Sequence, residues 1–438
     1  MKLPKMKFTA VGDMLIQRVI STEYEGFAEV SEYIKKGDAR FFNFESIIYK
    51  DGIWGSYFNG GSYHNSDPRT LDVAKEYGFN MMSFANNHTF DWSYGGLTST
   101  LETLGKTDFV HAGVGMNLDE AAAPAYLEAP SGRVALISMA SSIADPSAMA
   151  GRQSRRIPGR PGVNALRTTK YMELTKEHYD VICEIAEISG VNAARAISRA
   201  EGYVPLKTDN DTAEFGSMVK FRLGNQTKYH SVLNEKDMQR LEMSIYEAQA
   251  QADYILVSIH AHELSGTSKE NPADFLVEFA HRAIDMGAHA VIGHGPHLLR
   301  PLEIYKKRPI FYSLGDFMLH NESVIFAPED MYEKYGLTSD DPLCDIYKKR
   351  SRNYTVGLLT DRRMMEAVIP YFEMEDGELT YLELMPIELG FGEPRYRIGN
   401  PKFCSDRGII ERYANMSLRF GTKISVDERG IGVVKLNK

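Results

Sequence analysis

Cysteine is scarce in this chain: Cys183, Cys344 and Cys404 are the only three among 438 residues. They lie far apart and form no C-x-x-C pair, which argues against both a disulfide framework and a thiolate zinc site. Long apolar runs are also missing, and none approaches the roughly 20 residues a membrane helix needs. The charged stretch Met1 to Lys7 leads directly into an alternating, strand-like segment without an apolar h-region, so no signal peptide and no membrane anchor are expected. Basic charge is in deficit, with 50 Lys and Arg against 59 Asp and Glu and a formal net charge of -9. That argues against a whole-chain footprint for nucleic acid or an anionic membrane, and a reducing cytoplasm is the expected compartment. What is present is ordinary globular composition, 25% charged and 43% hydrophobic. Disorder and collagen readings fall away, and the length predicts two or three domains at roughly 150 residues each.

Short β-rich segments alternate with helical ones through the first 140 residues. Strands are expected at Lys7 to Val11, Ala39 to Asn43, Met81 to Phe84, Val110 to Ala112, Ala125 to Glu128 and Val134 to Met139. Helices are expected near Phe27 to Lys35, Leu71 to Tyr77 and Tyr94 to Leu104. Such alternation predicts βαβ units and a layered α/β sheet. The same pattern resumes with Tyr254 to His260, a helix from Ala273 to Met286, Ala290 to Ile292 and Ile310 to Ser313. Between them, residues 166–252 read as an insertion: a long helical stretch, then Met218 to Leu233 as a hairpin turning at Gly224-Asn225. A second, polar and helical insertion spans about 321–353. Two strands, Glu366 to Met374 and Leu379 to Pro386, lead to residue 390. The extension 391–438 is expected to pack on the core as a helix from Ser405 to Leu418 and a hairpin around Arg429-Gly430.

Catalytic groups in layered α/β folds collect where parallel strands end. Five segments put chemistry there: Gly12-Asp13, Asn43-Phe44-Glu45, Asn86-Asn87-His88 followed by Asp91, His260-Ala261-His262-Glu263, and His294-Gly295-Pro296-His297. Singly, a post-strand Asp or Asn is more often a turn or cap, and a lone strand-end His more often a hydrogen-bonded structural residue. Together they place five of the twelve histidines in three clusters, beside carboxylates and an amide. That donor set suits a borderline or moderately hard divalent ion, manganese, iron, zinc or cobalt.

The ordered motifs G-D, N-x-E, N-N-H-x-x-D, I-H and G-H-G-P-H resemble the CapA family, named for capsule poly-γ-glutamate synthesis, within the calcineurin-like metallophosphoesterase superfamily. Gly159-Arg160-Pro161-Gly162-Val163-Asn164, the run Pro309 to Phe317 with Gly315-Asp316, and Phe420-Gly421-Thr422 extend the likeness over nearly the whole chain outside the insertions. The resemblance implies a four-layer αββα sandwich holding one or two metals. It assigns Asp13, Glu45, Asn87, His260 and His294 as ligands, with His297 in the place of the last one. His88 would stand beside the metals and move protons, with Asp91 either orienting it and raising its pKa or capping the helix near Ser93. Three departures accompany the likeness. Leu15 replaces the histidine of D-x-H, the last motif is H-x-x-H instead of H-x-H, and Ala261-His262-Glu263 replaces Trp-Gly, adding His262 as a catalytic candidate.

A cluster of arginines, Arg152, Arg155, Arg156, Arg160 and Arg167, interrupts an otherwise acidic chain. Guanidinium forks match carboxylates and phosphates, so Arg160 and Arg156 are expected to bind an anionic substrate. Three functions follow: a metal-dependent hydrolase of an amide or ester in an anionic, peptide-like or γ-glutamyl substrate; a metal-assisted epimerase in which His88 or His262 moves an α-proton; and a non-catalytic binding or assembly subunit. The oligomeric state is left open.

Overall fold

The computed structural model describes residues 2–208, 211–216 and 219–436. The chain divides into a larger unit, Met1–Leu166 with Lys236–Pro272 and Leu276–Lys438, and a smaller one, Arg167–Glu235 with Ala273–Phe275.

The larger unit is a four-layer αββα sandwich. Its ten-stranded sheet runs in the order Ile424–Val426, Gly432–Val434, Glu378–Glu388, Glu366–Glu375, Met6–Leu15, Ala39–Phe44, Met81–Ser83, Val110–Ala112. Asp316–Leu319 pairs alongside Met6–Leu15, and Lys402–Phe403 alongside Glu378–Glu388. The six-stranded sheet runs Leu299–Tyr305, Arg308–Leu314, Ala290–His294, Tyr254–His260, Gly132–Ala140, Ala125–Ala129.

Strand alternation explains why layers cover both faces of the first sheet. In Ala39–Phe44, Phe41 points into the core shared with the second sheet, where it joins Leu136, Leu256, Ile292 and Phe311. Its neighbour Phe42 points the opposite way, into a core with Val30 and Ile34 of helix Phe27–Ile34 and Leu71 and Ala74 of helix Thr70–Tyr77. Met81 and Met82 divide between the same two cores, as the two-residue side-chain period requires. Helix Asp274–Met286 lies against the second sheet, where His281 Nε2 meets Glu303 Oε1 at 2.9 Å and Arg308 donates to the Ile284 carbonyl, and Gln249, ending helix Glu235–Gln249, donates to the Met286 carbonyl. The C-terminal strands complete the first sheet: Asp427 accepts from the N–H groups of Arg429 and Ile431 and closes their turn.

The smaller unit has its own four-stranded sheet, ordered Thr212–Phe215, Val219–Leu223, Thr168–Leu174, Lys228–Leu233. The expected hairpin is corrected here. Val219–Leu223 and Lys228–Leu233 do not pair with each other but flank Thr168–Leu174, the first in parallel and the second antiparallel. The chain crosses the end of that central strand, where Gly224 N–H donates to Leu174 and Glu173 accepts from Asn225 N–H. Met218, the first residue of that expected hairpin, lies outside the described residues.

Candidate functional site

The parallel strands of both sheets end in register. Asp13 is paired with Asn43 and with Asp316, and His260 is paired with His294. Gly12 allows the first sheet to close at this point, since a Cβ there would lie 1.9 Å from the Gly315 carbonyl oxygen.

The Asp13 carboxylate links the sheets. Its Oδ1 accepts from Asn43 Nδ2 at 2.7 Å and lies 3.6 Å from His260 Nδ1 and 3.4 Å from His294 Nδ1. Those two nitrogens are 2.9 Å apart. On its other side His260 reaches His262, Nε2 to Nε2, at 3.1 Å and Glu45 Oε1 at 3.5 Å. His297 Nδ1 meets Asp316 Oδ1 at 3.0 Å. One donor atom from each of Asp13, Glu45, His297 and Asp316 lies within 4.8 Å of the others. His88 joins through Nε2, 4.0 Å from Glu45 Oε1, while its Nδ1 is 2.6 Å from Asp91 Oδ2. His64 stacks on the His88 ring at 3.7 Å with the planes 2° apart.

Several acceptors in this cluster are left bare. Both Glu45 carboxylate oxygens, Asn43 Oδ1, Asn87 Oδ1 and Asp316 Oδ2 are buried without a hydrogen-bond partner among the described residues. Leaving buried polar groups unpaired is costly, so each asks for a partner. Carboxylate and amide oxygens beside imidazole nitrogens are the donor set of a divalent transition metal, and the residues present fit such an ion.

The electrostatics agree. Burial first, then the carboxylates of Asp13, Asp316 and Asp91, push Glu45 well above the usual carboxylate range. Burial raises Asp316 to about 6 and Asp91 to about 7. It lowers His88 and His64 to about 3 and His260 to about 4. Burial would raise Asp13 too, yet hydrogen bonding to His260 and His294 holds it well below its ordinary value. Positive charge placed among these carboxylates would favour their ionised forms.

The cluster opens on a cavity of about 850 Å³, lined by His88, His262 and His297 among others. Leu15 also lines it and belongs to an apolar cluster with Leu319, Met365 and Leu389, so that side offers no ligand. Arg300, fully buried, donates to the carbonyls of Ala261, His262 and Lys269 and holds the loop carrying His262 in place. Burial lowers its pKa to about 10.

A family model described as bacterial capsule synthesis protein PGA_cap matches residues 7–321. The chain belongs to this family. PGA_cap proteins lie in the metallophosphoesterase-like superfamily. This PGA_cap chain is 33% identical to the uncharacterized protein y4sH of Sinorhizobium fredii, over 98% of this chain and 92% of that protein. It is 23% identical to the capsule biosynthesis protein CapA of Bacillus anthracis, over 72% of this chain and 60% of that one. A solved structure of a hypothetical protein from Thermus thermophilus overlaps 87% of this chain and 99% of its own, with 13% identity and a TM-score of 0.39.

Of the residues singled out in sequence, Asp13, Glu45, His88, His260, His262, His294 and His297 are joined by the contacts above. Asn87 lies beside them, its Nδ2 donating to Gly60 O at 3.1 Å. Asp91 does not cap the following helix. Its oxygens accept from the N–H groups of Gly60 and His64 and face His88. The expected rise in the His88 pKa is reversed, because burial, followed by repulsion from His297, lowers it. Arg160 and Arg156 are exposed and neither lines the cavity; Arg160 Nε donates to Met149 O. Sequence reasoning left Asn43, His64, Asp316 and Arg300 unassigned. Asn43 and Asp316 stood inside recognised strand-end motifs, whereas no strand announces His64. Among the described residues no helix is long and apolar enough to cross a membrane.

Proposed function

We propose that this chain is a metal-dependent enzyme that hydrolyses an amide or ester bond in an anionic, peptide-like substrate of the γ-glutamyl type. The observation carrying this reading is Glu45, fully buried with neither carboxylate oxygen bonded, between the imidazoles of His260 and His88. Asp13, Glu45, Asn87, His260 and His294, with His297, would hold one or two ions of manganese, iron, zinc or cobalt. A divalent ion bound there would polarise the acyl oxygen and lower the pKa of bound water to about 7. His88 supplies proton transfer. His88 Nδ1 is 2.6 Å from Asp91 Oδ2, and an Nδ1–H donated to Asp91 would leave Nε2 of the neutral ring to accept a proton. Asp91 fixes that tautomer, and the His64 ring fixes the plane. The family description and the capsule-biosynthesis name of one relative support an anionic polymer or peptide as substrate.

One observation favours epimerisation as a second reading. His88 and His262 both line the cavity, so two bases are available to an α-carbon. Elemental analysis of the purified protein, followed by incubation of metal-loaded protein with a γ-linked oligoglutamate in H₂¹⁸O and in D₂O, separates the readings. Hydrolysis puts ¹⁸O into a new carboxylate, and epimerisation puts deuterium on carbon. Neither label, with no bound metal, would overturn both and favour a non-catalytic binding or assembly subunit.

A further inference from the structure

Two cations line the cavity beside different members of the histidine–carboxylate cluster, and neither belongs to it. Lys269 sits on the loop that Arg300 grips, and its charge acts on His297 and Asp316. Arg350 ends helix Leu343–Arg350, and its charge acts on His88. Both side chains line the same 850 Å³ cavity, as do His88 and His297.

Their surroundings leave both charges available. Arg350 Nη1 donates to Gly61 O at 3.0 Å and Ser62 Oγ at 3.1 Å, neutral acceptors that aim the guanidinium without cancelling it. Its guanidinium carbon lies over the Tyr347 ring, 4.9 Å from the centroid, a cation–π contact that orients the charge. Lys269 is exposed; desolvation first, then repulsion from Arg300 and Arg363, lowers its pKa, and the carboxylates of Asp361 and Asp316 oppose that shift. Asp361 is already held by both forks of Arg363, at 3.0 and 2.7 Å. Glu393 and Arg395 also line the cavity, and Arg395 lies over the Tyr354 ring at 3.8 Å. The cavity wall also has an apolar part, built from Leu15, Leu358, Leu359, Met365 and Ile398.

We infer that Lys269 and Arg350 are specificity residues that bind two separate carboxylates of one acidic peptide, one on each side of the bond presented to the cluster. Each side chain carries one positive charge, which matches a carboxylate's single negative charge better than the nearly double charge of a phosphate. The apolar part of the cavity wall would accommodate the methylene carbons that separate successive carboxylates. The inference rests on the reading of this cavity as the substrate cleft, but it does not require that a metal be bound.

The test uses full-length protein and fluorescently labelled pentaglutamate, with labelled pentaglutamine as the uncharged control and inorganic phosphate as competitor. Binding is measured by anisotropy at low salt, with and without Mn²⁺. Pentaglutamate is expected to bind at least tenfold more tightly than pentaglutamine. Lys269→Met and Arg350→Met should each weaken it by roughly tenfold to a hundredfold, as loss of a hydrogen bond to a charged group does. Metal content should match the unaltered protein in both variants. Equal affinity for the two peptides, no binding of pentaglutamate at millimolar concentration, affinity unchanged in both variants, or displacement by phosphate at concentrations below those of free glutamate would overturn the assignment. Charge-selective binding without any metal would sustain it while removing the metal-dependent reading; bound metal without charge selectivity would do the reverse.

Discussion

Asp13 Oδ2 accepts a 2.7 Å hydrogen bond from the backbone N–H of Gly295, so the first strand of one sheet is tied to the loop that carries His294 and His297 in the other. The loop can make that bond because Gly295 adopts φ +117°, a conformation that L side chains rarely take. A Cβ there would also come within 3.1 Å of Ala261 N and 3.2 Å of His260 Nε2. Gly295→Ala is therefore expected to cost about 1 to 3 kcal/mol and to lower metal stoichiometry. Thermal unfolding and elemental analysis of one sample check both, and full metal occupancy at unchanged stability would refute the link.

Glu45→Gln should act in opposite directions on the two states of the protein. Without metal, a neutral amide replaces a carboxylate that burial and three neighbouring carboxylates disfavour, so the melting temperature should hold or rise. With Mn²⁺ or Zn²⁺ the unaltered protein should gain stability from binding, and the variant should gain much less. Melting curves recorded with chelator and with added metal give the comparison. Equal metal-induced shifts would exclude Glu45 as a ligand.

Arg300 is buried and donates to three backbone carbonyls of the loop from Ala261 to Lys269. Arg300→Leu would leave those carbonyls unpaired, and a loss of about 3 kcal/mol is expected. Hydrogen exchange should rise first in that loop. Loss of stability spread evenly over the chain, with the loop still protected, would contradict the positioning role.

His289 gives a pH prediction away from the site. Burial, with Arg308 nearby, lowers its pKa to about 3, and its Nδ1 accepts from the Ile255 N–H. The folded state thus binds the proton less readily than the unfolded chain, whose histidine titrates near 6.5. The stabilising contribution is complete above that value and is lost as pH falls from about 6.5 toward 3. His289→Gln keeps an acceptor without titrating, so its stability should decline less over that window, by on the order of a few kcal/mol. Parallel slopes for the two proteins in denaturant titrations would show that His289 does not contribute.

The layered α/β sheet was legible because alternation forces it, whereas the four-layer sandwich followed from the family resemblance. Phe41 and Phe42, or Met81 and Met82, can be buried together only in a strand covered on both faces. The strand-end donors were legible for the same reason, since Asp13, His260 and His294 each follow an apolar run that a parallel sheet must terminate. His64 was not, because its position depends on a loop folded back by Asp91, and nothing local encodes that return. The smaller unit misled the reading at Gly224-Asn225, where turn chemistry matched a hairpin but the Glu173 carboxylate bound the turn to a different strand.

The pairing of Asp13 with Asp316 also sets a timetable for synthesis. Asp13 and Glu45 leave the ribosome long before His260 and His294, and until those arrive both carboxylates must stay in water. The first sheet therefore cannot close around its acidic strand ends while the chain is incomplete. A nascent chain stopped ahead of residue 290 should remain open to protease along Ala39–Phe44, and the same stretch should become resistant only once Asp316–Leu319 has been added.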